Sequence, residues 1–287
     1  MDETTPTFTF DTWRCLRKGV FVCTAQPESV TIGCVLGDDH ALLVDTGSCP
    51  AQGTALAASV TAAFGRCVDR VVITHAHFDH WFGLSGIRDA ESYGHAGLVR
   101  EARDCVDASI AYAFGFSPEL IVSPRVLVRD SLVLDLGGRT CELHACGPAH
   151  STTDLVVRVP DADLLFMGDI IEQANDPEFG PDCTPSQWAD TIETAIAGTG
   201  PDSCLVPGHG DPVDPAFALN QAARIRTLQR RITALWTSGV RLSDALNSLT
   251  VPAEVPWPFG PAAVRKALIV TYAELGGEAD RGVRLRA

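Results

Sequence analysis

Short runs of Val, Ile, Leu and Thr predict the β-strands in the first half of the chain. The unbroken apolar run at 70–75 indicates a strand that is buried on both faces. The Ala-rich residues 51–65 and the stretch 97–114 predict helices. The other strands predicted in this half are residues 20–26, 29–37 and 40–47.

The second half follows a similar order, with strands first, then a helix, another strand and closing helices. Its predicted strands are residues 124–130, 131–138, 140–147, 154–160, 163–169 and 203–208. Its predicted helices are residues 185–198, 217–236 and 262–276. Because no low-complexity linker separates the halves, the pattern predicts one mixed α/β domain over residues 1–287.

Charge and hydropathy limit the possible partners. The formal net charge is −14, and an acidic surface repels phosphate backbones, so we expect no nucleic-acid partner. The basic stretch 224–231 has the pattern of a solvated helix face. No apolar run approaches the roughly 18–20 residues that span a bilayer, and the first residues do not resemble a signal peptide. We therefore expect a cytoplasmic protein without a membrane partner.

The stretch His-Ala-His-Phe-Asp-His at 75–80 concentrates residue types that bind metals, in a chain with 8 histidines. On extended backbone, residues two apart face the same side, so His75 and His77 present their rings to one point. The chain then turns, and Asp79 and His80 face a second point nearby. The spacing differs from that of a helical HExxH site, and the absence of cysteines distinguishes it from a structural zinc site.

Three further donor residues stand at the ends of other predicted strands. His150 follows the strand 140–147, Asp169 ends the strand 163–169, and His209 directly follows the strand 203–208. Each lies where an apolar strand meets a glycine-containing loop, a common position for functional groups. We expect these three residues to complete a metal site with the 75–80 stretch. The remaining histidines, interpreted as structural, are His40, His95 and His144.

Together these motifs resemble those of the metallo-β-lactamase superfamily. HxHxDH at 75–80 is followed in order by GxxHS, Gly-Asp and Gly-His-Gly, and the Asp45-Thr46-Gly47 turn is similar to the early acidic turn of the family. The resemblance covers about residues 20–215 and leaves about 216–287 as a C-terminal helical extension. It implies a four-layer αββα sandwich with metals at one edge, between the two sheets.

The resemblance also implies how two divalent metal ions would be held. Three histidines would bind the first ion, one aspartate and two histidines would bind the second, and another aspartate would bridge them. Asp45 would orient a ligand histidine. Imidazole and carboxylate suit zinc, iron and manganese, and we expect two Zn²⁺ ions. In the order just given, the ligands are His75, His77, His150, Asp79, His80, His209 and Asp169.

A two-metal site of this kind indicates a hydrolase. Metal binding lowers the pKa of water to about 7, so a metal-bound hydroxide is available to attack an acyl carbon. One metal would then take up the oxyanion and the other would hold the leaving group. Asp79 would orient the hydroxide and take its proton. The expected reaction is hydrolysis of an ester, thioester, lactone or amide bond in a small-molecule substrate.

Two positions bear on which bond is cleaved. In the resembling β-lactamases that are nearest in strand order, a cysteine stands at the position of the aspartate in the Gly-Asp motif. A lysine three residues later holds the carboxylate of the substrate. This chain has Asp169 and Glu172 instead, and Glu172 would repel a β-lactam carboxylate. An aspartate at position 169 resembles the glyoxalase II-like and lactonase-like branches of the family. The lactonases have a tyrosine where this chain has Glu172, and the basic residues with which glyoxalase II binds glutathione are not identifiable here. The bond and substrate stay open.

Other functions remain as alternatives. A persulfide dioxygenase-like enzyme of this fold would use a single iron and fewer ligands, so the seven donors weigh against it. A β-lactamase, a nuclease of the same superfamily and a non-catalytic scaffold that retains metal also stay open, although a nuclease would need a basic track.

An aromatic segment at 109–120 lies between the two halves of the chain. Gly115 and Pro118 interrupt any helix there. We predict that Tyr112, Phe114 and Phe116 form either an apolar wall above the metals or part of the core.

Overall fold

The structure is a computed structural model and describes residues 6–104, 107–249 and 256–276. An eight-stranded and a five-stranded sheet form its centre. The first sheet contains β1 Thr9–Phe10, β2 Arg14–Arg17, β3 Val20–Gln26, β4 Val30–Leu36, β5 Ala41–Val44, β6 Arg70–Ile73, β7 Glu91–His95 and β8 Val126–Val128. The second contains β9 Ser131–Asp135, β10 Thr140–Ala145, β11 Leu155–Val159, β12 Leu164–Gly168 and β13 Cys204–Pro207.

Helices cover the outer face of each sheet. The α-helices are α1 Pro50–Phe64, α2 Phe78–Trp81, α3 Leu98–Asp104, α4 Ala108–Ala113, α5 Pro185–Ala195, α6 Pro215–Thr237, α7 Leu242–Ser248 and α8 Pro261–Glu274. Short 3₁₀ helices are Leu84–Gly86, Pro118–Leu120 and Pro160–Ala162. None of the helices in the described ranges combines the length and the apolar character that crossing a bilayer requires.

The period-two alternation of the strands creates three apolar layers. In β5, Leu42 and Val44 face the core between the sheets, whereas Ala41 and Leu43 face the cluster that contains Leu56 of α1. The same core between the sheets includes residues of both sheets, and a third cluster joins the outer face of the second sheet to α5, α6 and α8. The layers therefore follow the order helix, sheet, sheet, helix, as the resemblance implied.

Parallel pairing brings the chemically important strand ends together. β5 and β6 are parallel, with Val44 opposite Val72, and β12 and β13 are parallel, with Phe166 opposite Val206. The carboxyl ends of parallel strands meet at one edge of a sheet. Between the sheets, the Leu155 N–H donates to the Thr74 carbonyl at 2.8 Å. Loops after four strands therefore converge at one edge of the sandwich.

Several elements differ from the sequence prediction. Strands β1, β2 and β7 were not predicted; β7 has the sequence ESYGH, which lacks an apolar run but pairs with β6 through Tyr93 and Val72. The helix predicted at 97–114 is present as α3 and α4, and residues 105–106 lie outside the described part. Asp107 is extended and its Oδ1 accepts the Ser109 N–H at 2.8 Å, so this side chain begins a new helix.

The predicted C-terminal extension begins near the start of α6. Asp214 caps α6 by accepting the Phe217 N–H, and Pro215 occupies its first turn. Helices α6 and α8 pack with α5 on the second sheet. Of the extension, residues 250–255 and 277–287 lie outside the described part, and the division into core and extension stays a prediction.

Candidate metal centre

The turn after β5 positions Asp45 beneath the centre. Asp45 has a left-handed backbone with φ 64°, a conformation that aspartate tolerates better than most residues. Its Oδ1 accepts the Thr74 N–H at 2.8 Å, and its Oδ2 lies 2.9 Å from Thr74 Oγ1 and 2.8 Å from His80 Nδ1. The aspartate thus joins the end of β5 to the residues that follow β6.

The HxHxDH stretch divides into a bend and one helical turn. His75 lies in a bend after β6 rather than on the extended chain that the sequence predicted, and His77 is extended and precedes α2, which carries Asp79 and His80. This change of backbone aims the two pairs of side chains at neighbouring points. His75 and His80 are buried, with 1% and 0% of their surface exposed.

The other donors come from the second sheet. His150 lies in the loop before β11, Asp169 follows β12 and His209 follows β13. Gly208 lets the last two approach one another, since a Cβ at position 208 would collide with Asp169 Oδ1. The seven donors predicted from the sequence are therefore brought to one place by both sheets.

Their donor atoms form two adjacent groups. The first group is His75, His77, His150 and Asp169; the second group is Asp79, His80 and His209. Within each group all donor atoms lie within 4.8 Å of one another. Asp169 also reaches the second group, because its Oδ1 lies 3.3 Å from His80 Nε2 and its Oδ2 lies 3.5 Å from His209 Nε2.

The spacing in the second group fits a tetrahedral ion. His80 Nε2 lies 3.4 Å from His209 Nε2 and 3.6 Å from Asp79 Oδ2, and His209 Nε2 lies 3.3 Å from Asp79 Oδ2. Ligand atoms about 2.1 Å from a tetrahedral zinc ion stand roughly 3.4 Å from one another. These three donors are thus already separated by the distances that one ion would impose.

Contacts at the opposite ring nitrogens fix the orientation of four histidines. His80 Nδ1 faces Asp45, His209 Nδ1 lies 3.0 Å from the Glu28 carbonyl, and His75 Nδ1 lies 3.0 Å from Thr74 Oγ1. His77 Nε2 lies 3.2 Å from Asp182 Oδ2, which leaves its Nδ1 2.8 Å from His150 Nε2. Such contacts select the nitrogen that is available to a metal.

Buried atoms without hydrogen bonds cluster at this centre. In the described part of the chain, six buried side-chain nitrogen or oxygen atoms have no hydrogen-bond partner. Three of these atoms, His75 Nε2, Asp169 Oδ1 and Glu172 Oε1, belong to the donor side chains of this centre and its neighbour Glu172. Because unpaired buried polar groups cost free energy, their concentration at one point fits a site completed by cations.

Burial lowers the pKa of two of these histidines, whereas neighbouring carboxylates raise the pKa of two others. Burial lowers the pKa of His75 well below its ordinary value and that of His150 to about 4. Burial would also lower the pKa of His209 and His80, but the carboxylates of Asp169 and Asp79 outweigh it. They raise the pKa of His209 to about 12 and that of His80 well above its usual range.

Asp182 is a contact of the centre that the sequence did not reveal. It lies in the loop between β12 and α5, in a polar stretch without a recognisable motif. Burial alone would raise the pKa of the Asp182 carboxyl, but the hydrogen bond and charge of His77 hold it below its ordinary value. Only its distance from His77 in the folded chain identifies it.

A cavity of about 650 Å³ opens beside His77 and Asp182. Its apolar lining includes Phe78, Phe82 and Ile110, and Arg100 also lines it. The cavity thus adjoins the first group of donor atoms through His77.

The remaining predicted residues lie at different distances from this cavity. Glu172 is buried beside Asp169 and His209. Phe114 packs on Phe78 and Phe116 packs on Phe82, with ring centroids 5.5 and 5.9 Å apart, so both support side chains that line the cavity. Tyr112 is 67% exposed. Whether these three aromatic residues act as a wall above the metals stays a prediction.

Comparison with known proteins identifies relatives of this architecture. The family model of the metallo-beta-lactamase superfamily matches residues 25–209. A metallo-beta-lactamase type 2 from Bacillus cereus is 25% identical over 211 residues, which are 72% of this chain and 77% of that protein. The enzyme of the same description from Bacteroides fragilis is 25% identical over 181 residues, 62% of this chain and 67% of that protein.

Solved structures show the same fold at lower sequence identity. A metallo-beta-lactamase from Pontibacter korlensis aligns with a TM-score of 0.60 at 19% identity, over 75% of this chain and 99% of that one. A double mutant of the sec-alkyl sulfatase PisA1 aligns with a TM-score of 0.70 at 16% identity, over 92% of this chain and 51% of that one. The predicted αββα sandwich is confirmed.

Proposed function

The chain belongs to the metallo-β-lactamase superfamily, and from that premise we propose that it hydrolyses an ester, thioester, lactone or amide bond of a small molecule with the help of bound metal. The superfamily resemblance predicted from the motifs is thereby confirmed. The observation that carries the proposal is the pair of donor groups joined by Asp169, with several of their buried atoms lacking hydrogen bonds.

The donor set supports two metal positions. The first would use His75, His77 and His150, the second would use Asp79, His80 and His209, and Asp169 would contact both. We propose Zn²⁺ at both positions, with iron or manganese as alternatives that imidazole and carboxylate also accept. When bound, such ions polarise a carbonyl oxygen and make water a stronger acid.

The residues of the chain then have distinct tasks. Asp79 lies next to both His80 and His209 and is the carboxylate we propose to orient the attacking water and accept its proton. Asp45 contacts His80 Nδ1, so that Nε2 of the same ring faces Asp79 and His209. His75, His80 and Asp169 are themselves buried, which strengthens the electrostatic interactions between these groups.

The cavity beside His77 is the proposed place of the substrate. Because Phe78, Phe82 and Ile110 contribute to its lining, an apolar acyl or leaving group would gain from burial there. The net charge of −14 supports a small-molecule substrate over a nucleic acid. The aromatic residues Phe114 and Phe116, which pack behind this lining, would hold its shape.

The buried carboxyl of Glu172 argues against β-lactams. By the motif resemblance it occupies the position at which β-lactamases place the lysine that receives the substrate carboxylate. Burial and the neighbouring Asp169 raise the pKa of Glu172 to about 8, so the group is neutral or negative and supplies no cation. β-Lactams nevertheless belong in the test, since the B. cereus relative is named a metallo-beta-lactamase.

Chelation combined with a substrate panel tests the proposal. The protein would be purified without added metal, analysed for zinc, iron and manganese, stripped with a chelator and reloaded. Thioester, lactone, aryl ester and β-lactam substrates, each with small and bulky apolar groups, would be assayed in each state. We expect hydrolysis of a non-lactam substrate that disappears on chelation and returns with Zn²⁺. Hydrolysis that survives complete metal removal would contradict the proposal, and iron with persulfide oxidation would favour the dioxygenase.

A further inference from the structure

Glu172 is a buried acid to which the proposed hydrolysis assigns no role. It is 7% exposed, and its backbone N–H donates to Gln221 Oε1 at 3.0 Å, which fixes the start of the loop after Asp169. Its side-chain Oε1 is buried and has no hydrogen-bond partner in the part of the chain that the structure describes. A buried carboxyl oxygen in that condition costs free energy unless a donor or a cation completes it.

The neighbours of this carboxyl are metal-binding groups. Donor atoms of Asp169, Glu172 and His209 all lie within 4.8 Å of one another. His209 Nε2 lies 3.4 Å from His80 Nε2, and Asp169 Oδ1 lies 3.3 Å from the same atom of His80. The Glu172 carboxyl therefore stands beside His209, one of the three donors of the second metal position, and beside Asp169, which reaches both groups.

We infer that Glu172 is an additional ligand of the metal ion held by Asp79, His80 and His209. The inference rests on the proposed function only in requiring that this group bind a metal. The second position would then combine three carboxylates with two imidazoles, so Glu172 would add a fifth donor to the four that a tetrahedral ion takes, whereas the first combines three imidazoles with Asp169. Oxygen-rich positions suit harder cations such as Mn²⁺ better than imidazole-rich ones do. The two positions of the centre therefore differ in metal preference.

Metal titration of Glu172→Gln tests this inference. The amide keeps the size and hydrogen-bonding capacity of the side chain but removes the anionic ligand. Metal-free wild type and variant would be titrated with MnCl₂ and with ZnCl₂ by calorimetry, and ion counts per chain would be read by native mass spectrometry. His75→Ala and His209→Ala assign each binding event to the first or the second position. Glu142→Gln, which replaces a partly exposed acid on β10, is the matched control.

We expect the Mn²⁺ affinity of the second position to fall at least about tenfold in Glu172→Gln, with the first position and Glu142→Gln unchanged. Melting of the metal-free proteins checks folding, and Glu172→Met, of similar length but without a donor oxygen, replaces the variant if the amide does not fold. Wild-type affinity at the second position, or equal weakening of both, would overturn the inference and leave the proposed function intact. A wild type that binds no metal would overturn both.

Discussion

His77 Nε2 lies 3.2 Å from Asp182 Oδ2, and the other nitrogen of the same ring lies 2.8 Å from His150 Nε2. The loop before α5 thus sets the orientation of a histidine that follows β6. The aspartate also raises the pKa of His77 against the opposing effect of burial. The contact joins the two sheets at the metal centre through a residue outside the motifs.

Asp182→Asn should weaken metal binding at the first group. The amide keeps the shape but removes the negative charge that favours Nδ1 of His77 as the free nitrogen, and loss of such a partner typically costs about 10–100-fold in metal affinity. Calorimetric titration of the metal-free variant measures this. Binding at the second group should stay at its wild-type value, and a loss confined to that group would contradict the role given to Asp182.

Removing single ligands should empty the positions separately. His75→Ala should lower occupancy chiefly at the first group and His209→Ala chiefly at the second, and each should reduce hydrolysis by orders of magnitude. In Asp169→Asn, occupancy should fall towards one ion per chain, because the bridging carboxylate offsets the repulsion between two cations. Mass spectrometry under native conditions counts the ions. Two tightly bound ions in Asp169→Asn would show that Asp169 is not the bridge.

Gly208→Ala should disturb the centre by steric contact alone. The new Cβ would collide with Asp169 Oδ1 and would lie 3.0 Å from the carbonyl carbon of Gly168, so the carboxylate must move away from one or both groups. Gly147→Ala is the control, because its nearest neighbour, Thr191 Oγ1, lies at 3.4 Å. We expect metal affinity to fall in the first variant and not in the second. Equal metal affinities in the two variants would mean that displacing the Asp169 carboxylate does not affect metal binding, contrary to the role proposed for it.

Metal affinity at the second group should increase with pH. In the metal-free protein the pKa of His209 is raised to about 12 and that of Glu172 to about 8, so both hold protons near pH 7. A metal must displace those protons, and each proton released adds up to about tenfold affinity per pH unit below the pKa concerned. Titrations at pH 6, 7 and 8 in two buffers measure proton release. An affinity that is constant or falls over this range would contradict the charge state described here.

The aromatic segment provides a prediction on specificity. Phe78→Ala removes an aromatic ring from the cavity lining. Because bulky apolar substrates would lose more contact with this ring than acetyl-sized ones, the variant should raise KM more for the bulky substrates. Phe116→Ala removes a partly buried ring that packs on Phe82, so it should cost less than the roughly 3–5 kcal/mol of a fully buried phenylalanine. Thermal melting and kinetics separate the two effects. Equal KM changes for large and small substrates in both variants would remove the apolar-wall hypothesis.

Sequence reasoning was strongest where local pattern and position coincide. The strand before His75 is an unbroken apolar run, and the donors follow strand ends, so the convergence of His150, Asp169 and His209 with the 75–80 stretch was predictable. Strand β7 was not predictable, because Glu91, Gly94 and His95 interrupt any apolar pattern in this segment. It forms a strand because it pairs with β6.

Long-range contacts account for the other omissions. Asp182 is 105 residues from His77 in the chain, and nothing in its own segment marks the contact. The proximity of Glu172 to His209 likewise depends on the parallel pairing of β12 with β13, which no local pattern specifies.

The central claim is that the seven donors hold two metal ions, and counting ions on the metal-free wild-type chain tests it most directly. Native mass spectrometry during titration with Zn²⁺ would record the mass of each bound state, with the His75→Ala and His209→Ala chains measured in parallel. The account predicts saturation at two ions per wild-type chain and one tightly bound ion in each variant. Saturation of the wild type at one ion, or no binding at all, would contradict it.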